Sequence, residues 1–334
     1  METVFLKGIH GEKIRFSRSA EIQSTLEEIK KLYCQLPDFN IHKDTLVLDA
    51  YYSATIEGAR TTVEQVKKNM LEPKTRDDKM VINTFRATGY ALENTITEEN
   101  IRKLWEMVVD GVCENIGQIG MKYRSGMVYV ASASEVIHTP AKPEQIEELM
   151  EGLFAFMEED GERDIMLKSI LIHFYFVYVH PFCDGNGRTA RLLQVYYLYR
   201  HGYPKMKDIM ISQYISKRLR AYYGSLKRAE KVRLFEEERT LDVTPFLRYM
   251  LSVIKQALAQ YTNLHTRLGK NQKLILERMG KQYNSSGRAE LTVNKAAGIL
   301  KTSADSAYVS MEGLVKKGLL EKKQENGKNI YIMK

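Results

Sequence analysis

The 334-residue sequence contains only three cysteines and no long, uninterrupted hydrophobic run. Cys34, Cys113 and Cys183 are odd in number and far apart, which excludes a disulfide framework and a zinc-ligand spacing and indicates a reducing compartment. The longest apolar run, ILIHFYFVYV, is too short to span a bilayer. The first residues also lack the apolar segment and cleavage site of a signal peptide. We therefore expect a cytoplasmic protein with no membrane partner.

Positive charge is concentrated at one end of the chain. The net charge is +8, and residues 267–334 contain 14 Lys and Arg against 6 Asp and Glu, so the rest of the chain is neutral. Such a local excess of one sign predicts a separate C-terminal module.

Apolar residues at helical spacing predict a succession of helices up to about residue 265. Gly58 is placed to end one of them, Thr61 and Glu64 form a capping-box pattern, and Thr244 is predicted to cap a helix with Pro245 in its first turn. The predicted helices cover 19–36, 43–60, 61–70, 79–94, 97–113, 143–159, 163–179, 188–201, 208–228 and a segment from 244. Between them, β-branched and aromatic residues around a small polar centre at 125–140 predict a β-hairpin.

The C-terminal module has the order of a winged helix. A short helix precedes two helices around a tight turn, and two strands follow around an NGK turn. The second helix of the pair begins SADSAYVS, with Asp305 and no Lys or Arg, although base reading usually relies on Arg, Asn or Gln. Lysines flank the two strands and are suited to phosphate contacts, at positions 316, 317, 322, 323 and 328. A DNA partner and a protein partner both remain open.

The most polar stretch of the chain, VHPFCDGNGRTAR at 179–191, separates two apolar helices. Its glycines allow close backbone approach to a ligand, and a helix N-terminus favours an anion. Arg188 and Arg191 are three residues apart and share a helix face. Asp184 offers a hard oxygen suited to Mg²⁺, and His180 is able to accept a proton near neutral pH. The stretch thus predicts a phosphate-binding active site, with a hydrophilic turn as the alternative; the GxxxxGK[ST] spacing of a P-loop is missing.

HPFCDGNGRTAR resembles the Fic motif HPFx[D/E]GNGRxxR at every specified position, and SATIEG at 53–58 resembles the regulatory motif [S/T]xxxE[G/N] of one Fic class. The resemblance covers about residues 45–265. It implies a mainly α fold, in which a Fic-type helical core with a β-hairpin flap at 126–139 is followed by a small α/β winged-helix domain. The predicted domains are an N-terminal helical region with an inhibitory helix (1–90), the Fic core (91–266) and the winged helix-turn-helix domain (267–334). The flap departs from the family in having HTPA where YxPP is usual.

The resemblance further implies a protein adenylyltransferase that transfers AMP from ATP to a hydroxyl side chain of a target protein. His180 would be the general base, and Asp184 would hold Mg²⁺. Nucleotide binding would fall to Gly185, Asn186, Gly187, Arg188 and Arg191. In this scheme the backbone amides around Gly185 form the anion hole and the Asn186 side chain lies near the α-phosphate. Arg188 binds the β-phosphate region and Arg191 the γ-phosphate.

Glu57 is the predicted regulatory residue, supported by Ser53 one turn earlier. Its carboxylate lies near a helix C-terminus, where the dipole favours cations, and the resemblance supplies the cationic partner in Arg191. Two other activities stay open: removal of AMP by the same site, and a DNA-binding regulator that uses the core as an ATP sensor. A homodimer is also open. His173 is expected to be a core histidine, Cys183 a small packed residue, and Arg124 either a brace for the hairpin or a ligand contact.

Overall fold

The structure is a computed structural model, and it describes residues 2–37, 44–113, 121–131, 136–159, 164–235, 238–286, 289–325 and 327–333. By its internal contacts the chain divides into two compact units. The first consists of Met1–Ile29 and Val47–Gln256, and the second of Lys30–Leu46 and Ala257–Lys334.

The described residues are mainly helical, which confirms the predicted fold class. The helices are α1 (Ala20–Cys34), α2 (Thr45–Ile56), α3 (Val63–Lys68), α4 (Arg76–Glu93), α5 (Glu98–Val109), α6 (Pro143–Glu158), α7 (Ile165–Val179), α8 (Asn186–Arg200), α9 (Ile211–Ser216), α10 (Leu219–Ala229), α11 (Thr244–Thr266), α12 (Lys270–Ser286), α13 (Val293–Leu300) and α14 (Ala304–Lys316), with a 3₁₀ helix at Pro204–Asp208.

Strands form three small sheets within the same residues. The strands are β1 (Glu2–Lys7), β2 (Lys13–Phe16), β3 (Val130–Ala131), β4 (Val136–His138), β5 (Val232–Phe235), β6 (Glu238–Asp242), β7 (Glu290–Thr292), β8 (Leu320–Glu325) and β9 (Lys328–Met333). The sheet orders are β1-β2-β6-β5, β3-β4 and β7-β9-β8.

Helices α7 and α8 form the centre of the first unit. Nearly every side chain of α7 is buried because its sequence is apolar on all faces. Helix α8 contacts α4, α5 and α7, and its buried residues include aromatic ones such as Tyr196 and Tyr197. Burial of each such side chain contributes about 1.5–3 kcal/mol to folding. The loop between these two helices is therefore held between rigid elements.

The four-stranded sheet was not predicted from the sequence. The prediction of helices up to about residue 265, interrupted only by the hairpin at 125–140, is therefore wrong at β1–β2 and at β5–β6. In this sheet β2 pairs parallel with β6, and Lys13, Ile14 and Arg15 face Thr240, Leu241 and Asp242 in turn. The hairpin β3–β4 is the predicted flap, with Val130 opposite His138. Its centre, 132–135, lies outside the described residues.

Two predicted caps are wrong, because the hydroxyls bind other groups. The cap of α3 is Thr62, whose side chain accepts from the Gln65 amide, whereas the Thr61 hydroxyl donates to Asp78 at 2.7 Å. Thr244 is the first residue of α11 rather than its cap; its hydroxyl accepts from the Ser17 amide at 2.8 Å.

Helix lengths differ from the prediction in two places. The helix predicted at 208–228 is broken at Lys217 and Arg218 into α9 and α10. The short helix predicted at the start of the C-terminal module is α12, which has 17 residues. From α12 onward the order is helix, strand, two helices and two strands, and strand β7 was not predicted.

Candidate active site

The loop between α7 and α8 is fixed by two residues with left-handed backbone conformation. His180 ends α7 at φ 53°, ψ 61°, an uncommon conformation for a non-glycine residue. Gly185 precedes α8 at φ 75°, and a Cβ at this position would lie 2.8 Å from Val109 Cγ1. Only glycine fits there. These two turns bring His180 and the N-terminus of α8 together.

The Asn186 side chain forms two hydrogen bonds within the loop between α7 and α8. Its side-chain amide donates to the Phe182 carbonyl at 2.8 Å, and its side-chain oxygen accepts from the Phe182 amide at 3.0 Å. The side chain is buried, so this pair of bonds fixes the loop independently of any ligand. Its predicted contact with an α-phosphate stays a prediction.

Trp105, the single tryptophan of the sequence, supports the loop from α5. Its ring stacks on Phe182 with centroids 4.2 Å apart and planes 7° apart, and its Nε1 donates to the Asp184 carbonyl at 2.8 Å. Sequence analysis missed this residue, although a lone tryptophan in an amphipathic helix was an available signal.

Arg124 braces the loop and the flap, which is the first of the two roles that the sequence left open. Its Nε donates to the His180 carbonyl at 2.8 Å and its Nη1 to the Gly126 carbonyl at 2.8 Å. Its Nη2 donates to the Ala141 carbonyl. The guanidinium is buried, and burial lowers its pKa.

His180 is present as a neutral base. Its Nδ1 lies 3.2 Å from the Val177 carbonyl, an acceptor, so Nδ1 carries the hydrogen and Nε2 keeps its lone pair. Burial lowers the pKa of His180 to about 4. At neutral pH the ring is therefore able to take up a proton.

Asp184 is surrounded by donors. Its Oδ1 accepts from the Gly185 amide at 2.6 Å and lies 3.5 Å from Arg188 Nη2. Its Oδ2 lies 3.8 Å from Arg76 Nη2, a contact that the sequence did not predict. The Gly185 amide is thus already engaged, which leaves the later amides of the turn for an anion.

The carboxylate of Asp184 fits a metal ion that arrives with its substrate. Its side chain is 37% exposed, and the residues described by the structure contain no cluster of three or more Asp, Glu, His or Cys suited to holding a metal. Mg²⁺ is commonly held by one or two carboxylates together with substrate phosphates. A single accessible carboxylate beside an anion cradle meets that requirement.

Arg188, in the first turn of α8, is buried, with 1% of its surface exposed. Its Nη1 donates to the Val108 carbonyl at 3.0 Å, whereas its Nε has no hydrogen-bond partner. Burial lowers its pKa. A buried donor without a partner costs about 1–3 kcal/mol, which favours an additional acceptor at this position.

Arg191 is tied to the two predicted regulatory residues. Its Nε donates to the Ser53 hydroxyl at 2.9 Å, and its Nη2 donates to the Ser53 carbonyl at 3.0 Å and to Glu57 Oε1 at 2.7 Å. Burial lowers the pKa of Arg191, but the adjacent Glu57 carboxylate, together with Tyr222 and Tyr223, outweighs burial and the pKa is raised overall. As in Arg188, one nitrogen, Nη1, is buried without a hydrogen-bond partner.

The Glu57 carboxylate also lies against the first turn of α8. A Cβ on Gly187 would be 2.2 Å from Glu57 Oε1, so glycine is required for this approach. The remaining pocket has a volume of only about 80 Å³ and is lined by Glu57, Val130, His138, Val177, His180, Gly187, Tyr222, Tyr223, Leu226, Lys227 and Glu230. Ligand pockets usually measure about 300–1,000 Å³, so this pocket is small for a ligand while Glu57 lies in its present position.

All the predicted site residues therefore lie in one region: Ser53, Glu57, His180, Asp184, Gly185, Asn186, Gly187, Arg188 and Arg191. His173 lies outside it as a satisfied core residue, 2.7 Å from Gln194 Oε1 and 3.0 Å from the Tyr222 hydroxyl. No helix in the described ranges is long and apolar enough to cross a membrane.

Comparison with known proteins points to the segment that contains the loop between α7 and α8. Residues 95–198 match the model of the Fic/DOC family. The protein adenylyltransferase Fic of Drosophila willistoni is 26% identical over 229 residues, which cover 66% of this chain and 42% of that protein. The chain thus spans less than half the length of the curated relatives it matches.

Solved structures share the fold. A Fic family protein from Desulfovibrio desulfuricans G20 has a TM-score of 0.63 at 20% identity, covering 95% of this chain and 97% of that one. A Fic domain containing signaling protein from Bacteroides thetaiotaomicron has a TM-score of 0.56 at 21% identity, covering 73% and 96%.

Proposed function

We propose that the protein is a protein adenylyltransferase that transfers AMP from ATP to a hydroxyl of a protein target, because residues 95–198 match the model of the Fic/DOC family. The observation that carries the proposal is a pair of buried arginine nitrogens without a hydrogen-bond partner, Arg188 Nε and Arg191 Nη1, on the helix that follows the neutral His180. Two fixed cations and a base suit attack on a phosphate.

In the proposed reaction, His180 Nε2 accepts the proton of the target hydroxyl as that oxygen attacks the α-phosphorus. The bond to pyrophosphate breaks, and pyrophosphate leaves with the electron pair. Arg188 and Arg191 orient the β- and γ-phosphates and offset their charge, and the amides at the start of α8 bind the α-phosphate. Asp184 would hold Mg²⁺, which neutralises phosphate charge when bound.

We propose that Glu57 inhibits this activity. Its carboxylate holds Arg191 at 2.7 Å and fills the position next to Gly187. ATP therefore binds productively only when Glu57 moves away. Removal of AMP is the second candidate function, because Glu57 lines the same small pocket as His180 and its carboxylate offers a second base, which can accept a proton from a water molecule.

For the second unit we propose a winged-helix domain, based on the order α12, β7, α13, α14, β8 and β9. A DNA-binding regulator with an ATP-sensing core stays the alternative from another functional class. The exposed positions of α14 include Asp305, Tyr308 and Val309, which suit a protein partner better than phosphates. The cytoplasmic location, the homodimer and the three domain boundaries stay predictions.

Labelled ATP tests the proposal. The protein is incubated with cell lysate and ATP carrying ³²P at either the α- or the γ-phosphate. Compared with lysate to which no protein is added, we expect additional label from the α-position alone, since AMP transfer discards the γ-phosphate with pyrophosphate. Additional label from the γ-position would indicate a kinase, and no additional label in a Glu57→Gly variant with either nucleotide would contradict both transfer reactions. Mass spectrometry of the labelled proteins then identifies the target residue.

A further inference from the structure

Cys113 and Cys183 are 70 positions apart in the chain, yet their sulfur atoms lie 3.7 Å from each other. Cys113 follows the end of α5, and Cys183 lies in the loop between α7 and α8, at the variable position of HPFCDGNGRTAR. Both are free thiols and both are partly exposed. The third cysteine, Cys34, is exposed and belongs to the second unit. The fold therefore brings two of the three thiols into contact.

The two neighbours of Cys183 fix its place in the loop. Before it, the Phe182 ring stacks on Trp105, and the Phe182 backbone forms hydrogen bonds with the buried Asn186 side chain. After it, the Asp184 carbonyl accepts from Trp105 Nε1 at 2.8 Å. Because the backbone is held on both sides, the loop presents the Cys183 sulfur at a defined position beside α5.

Cys113 is held at the end of α5 by its own backbone and by that of Val112. Its amide donates to the Val109 carbonyl at 3.2 Å. The Val112 side chain is buried, and the Val112 carbonyl accepts from Arg76 Nε at 3.2 Å. Two groups that a fold holds side by side react with each other in preference to groups in solution. The two thiols are in this situation.

The distance between the two sulfur atoms is close to that of a covalent bond between them. A disulfide bond is about 2.05 Å long, so each sulfur needs to move by less than about 1 Å. Rotation of the two side chains about their Cα–Cβ bonds displaces the sulfur atoms, since Sγ lies off that axis. The loop and the end of α5 can therefore keep their present hydrogen bonds while the sulfur atoms approach.

We propose that Cys113 and Cys183 form a reversible disulfide that joins the loop between α7 and α8 to the end of α5, with a small aliphatic disulfide such as oxidised glutathione as the oxidant. The thiolate of one cysteine attacks the small disulfide, which gives a mixed disulfide and releases one small thiolate. The thiolate of the other cysteine attacks the protein sulfur of the mixed disulfide and releases the second. Two electrons pass from the cysteines to the oxidant, and the two released thiolates take up the two thiol protons.

Disulfide formation at this place is independent of AMP transfer, because it depends only on the two cysteines. In a compartment that keeps thiols reduced, the pair remains a dithiol, and the disulfide forms as the share of oxidised glutathione rises. A single reversible bond differs from the disulfide framework that the cysteine count excludes. At the loop, the bond adds a covalent connection to α5 beside the stacking of Trp105 on Phe182.

Peptide mapping of the full chain tests the proposal. The folded protein is equilibrated with a glutathione buffer in which the oxidised form predominates, its remaining thiols are alkylated, and it is digested without reduction. We expect a cross-linked peptide pair that contains Cys113 and Cys183 and that dithiothreitol separates. Cys34 is expected to be alkylated or to carry glutathione. Absence of the cross-linked pair from the oxidised, folded protein would overturn the proposal.

Single substitutions identify the two partners. Cys113→Ser and Cys183→Ser each remove one sulfur, and we expect the remaining thiol of the pair to carry glutathione, since no second thiol lies close enough to displace it. Cys34→Ser is the matched control and is expected to form the same cross-link to the same extent as wild type. A cross-link that requires Cys34 would overturn the proposal.

Comparison of folded and unfolded protein shows whether the fold favours the bond. In Cys34→Ser, the equilibrium constant for disulfide formation is measured over a series of glutathione buffers, with and without a denaturing concentration of urea. A native disulfide typically stabilises a fold enough to make this constant at least about thirtyfold larger in the folded state, and we expect such a ratio here. A constant that is no larger in the folded than in the unfolded protein would show that the fold does not accommodate the bond, and would overturn the proposal.

Discussion

Arg191 and Glu57 are 134 positions apart in the chain, yet Arg191 Nη2 and Glu57 Oε1 lie 2.7 Å from each other. The arginine is almost fully buried and the carboxylate is about one-quarter exposed. The ion pair therefore joins the turn after α2 to the centre of α8, and it engages the arginine proposed to bind the γ-phosphate.

Replacement of this carboxylate is expected to activate the protein. Glu57→Gly frees Arg191 and the space beside Gly187, so ATP settles with its α-phosphate aligned. Because a displacement of about 1 Å costs up to a hundredfold in rate, we expect AMP transfer to rise between about ten- and a hundredfold. Incorporation of α-³²P into protein measures the change.

The gain must depend on the freed arginine. Glu57→Gly combined with Arg191→Ala is expected to return to low activity, since non-additivity marks two groups that act on each other. Glu64→Gly, at an exposed carboxylate in the first turn of α3, is the control and is expected to leave transfer unchanged. Equal rates for wild type and Glu57→Gly would show that SATIEG only ends a helix.

Replacement of the base is expected to separate chemistry from binding. His180→Ala removes the proton acceptor but none of the proposed phosphate contacts, so AMP transfer should fall by about 10²–10⁴. The Kd for ATP, measured by calorimetry in the Glu57→Gly background, should change by less than about threefold. Undiminished transfer by His180→Ala would refute the assignment of the base.

Acid is expected to destabilise the fold through buried histidines. Burial lowers the pKa of His173 to about 3, whereas the unfolded chain binds this proton at about pH 6.5. Between those values the unfolded state holds more protons, so stability is lost as the pH falls below 6.5, by up to about 1.4 kcal/mol per pH unit for each such group.

Urea unfolding at several pH values measures this slope. His173→Gln keeps polar atoms near Gln194 and Tyr222 but does not titrate, so its stability should decline less steeply than that of wild type between about pH 6.5 and 4. Parallel curves for the two proteins would mean that His173 does not contribute to acid unfolding.

Loss of the Arg124 guanidinium should affect both stability and activity. Arg124→Met leaves the carbonyls of His180, Gly126 and Ala141 without their donor, at a cost of about 1–3 kcal/mol for each carbonyl that water does not reach. We expect a loss of about 2–4 kcal/mol in the free energy of unfolding. Arg124→Lys retains one charged donor and should lose less; a Met variant as stable as wild type would show that water replaces the guanidinium.

Removal of the basic C-terminal segment should leave the reaction intact. A chain ending at residue 267 retains α11 and every proposed catalytic residue, so its transfer activity in the Glu57→Gly background should match that of the full chain. Any DNA affinity of the full chain, measured by fluorescence anisotropy, should disappear in the shortened one and fall steeply with salt. A shortened chain that folds but transfers no AMP would show that the reaction needs the C-terminal segment.

The loop between α7 and α8 could be predicted as a candidate site from the sequence, because its residues are adjacent in the chain and each has a distinct chemistry. Glu57 was also predictable, since the motif and the helix end coincide. The residues that support the loop could not be predicted in this way. Arg124 binds backbone carbonyls, and the folded loop determines which carbonyls lie within its reach. The contact between Cys113 and Cys183 was missed for a similar reason, since the two residues are 70 positions apart and the sequence gives no sign that they meet.

The parallel pairing of β2 with β6 determines the order in which parts of the first unit become complete during synthesis. Strand β2 leaves the ribosome long before β6, and the contact between Ser17 and Thr244 joins residues 227 positions apart. At about 5–20 residues per second, the hairpin of β1 and β2 is synthesised roughly 10–45 s before β6. Throughout that interval one edge of β2 is unpaired. Helices α4 to α8 and the loop between α7 and α8 are translated within the same interval, so we expect the four-stranded sheet to assemble after them.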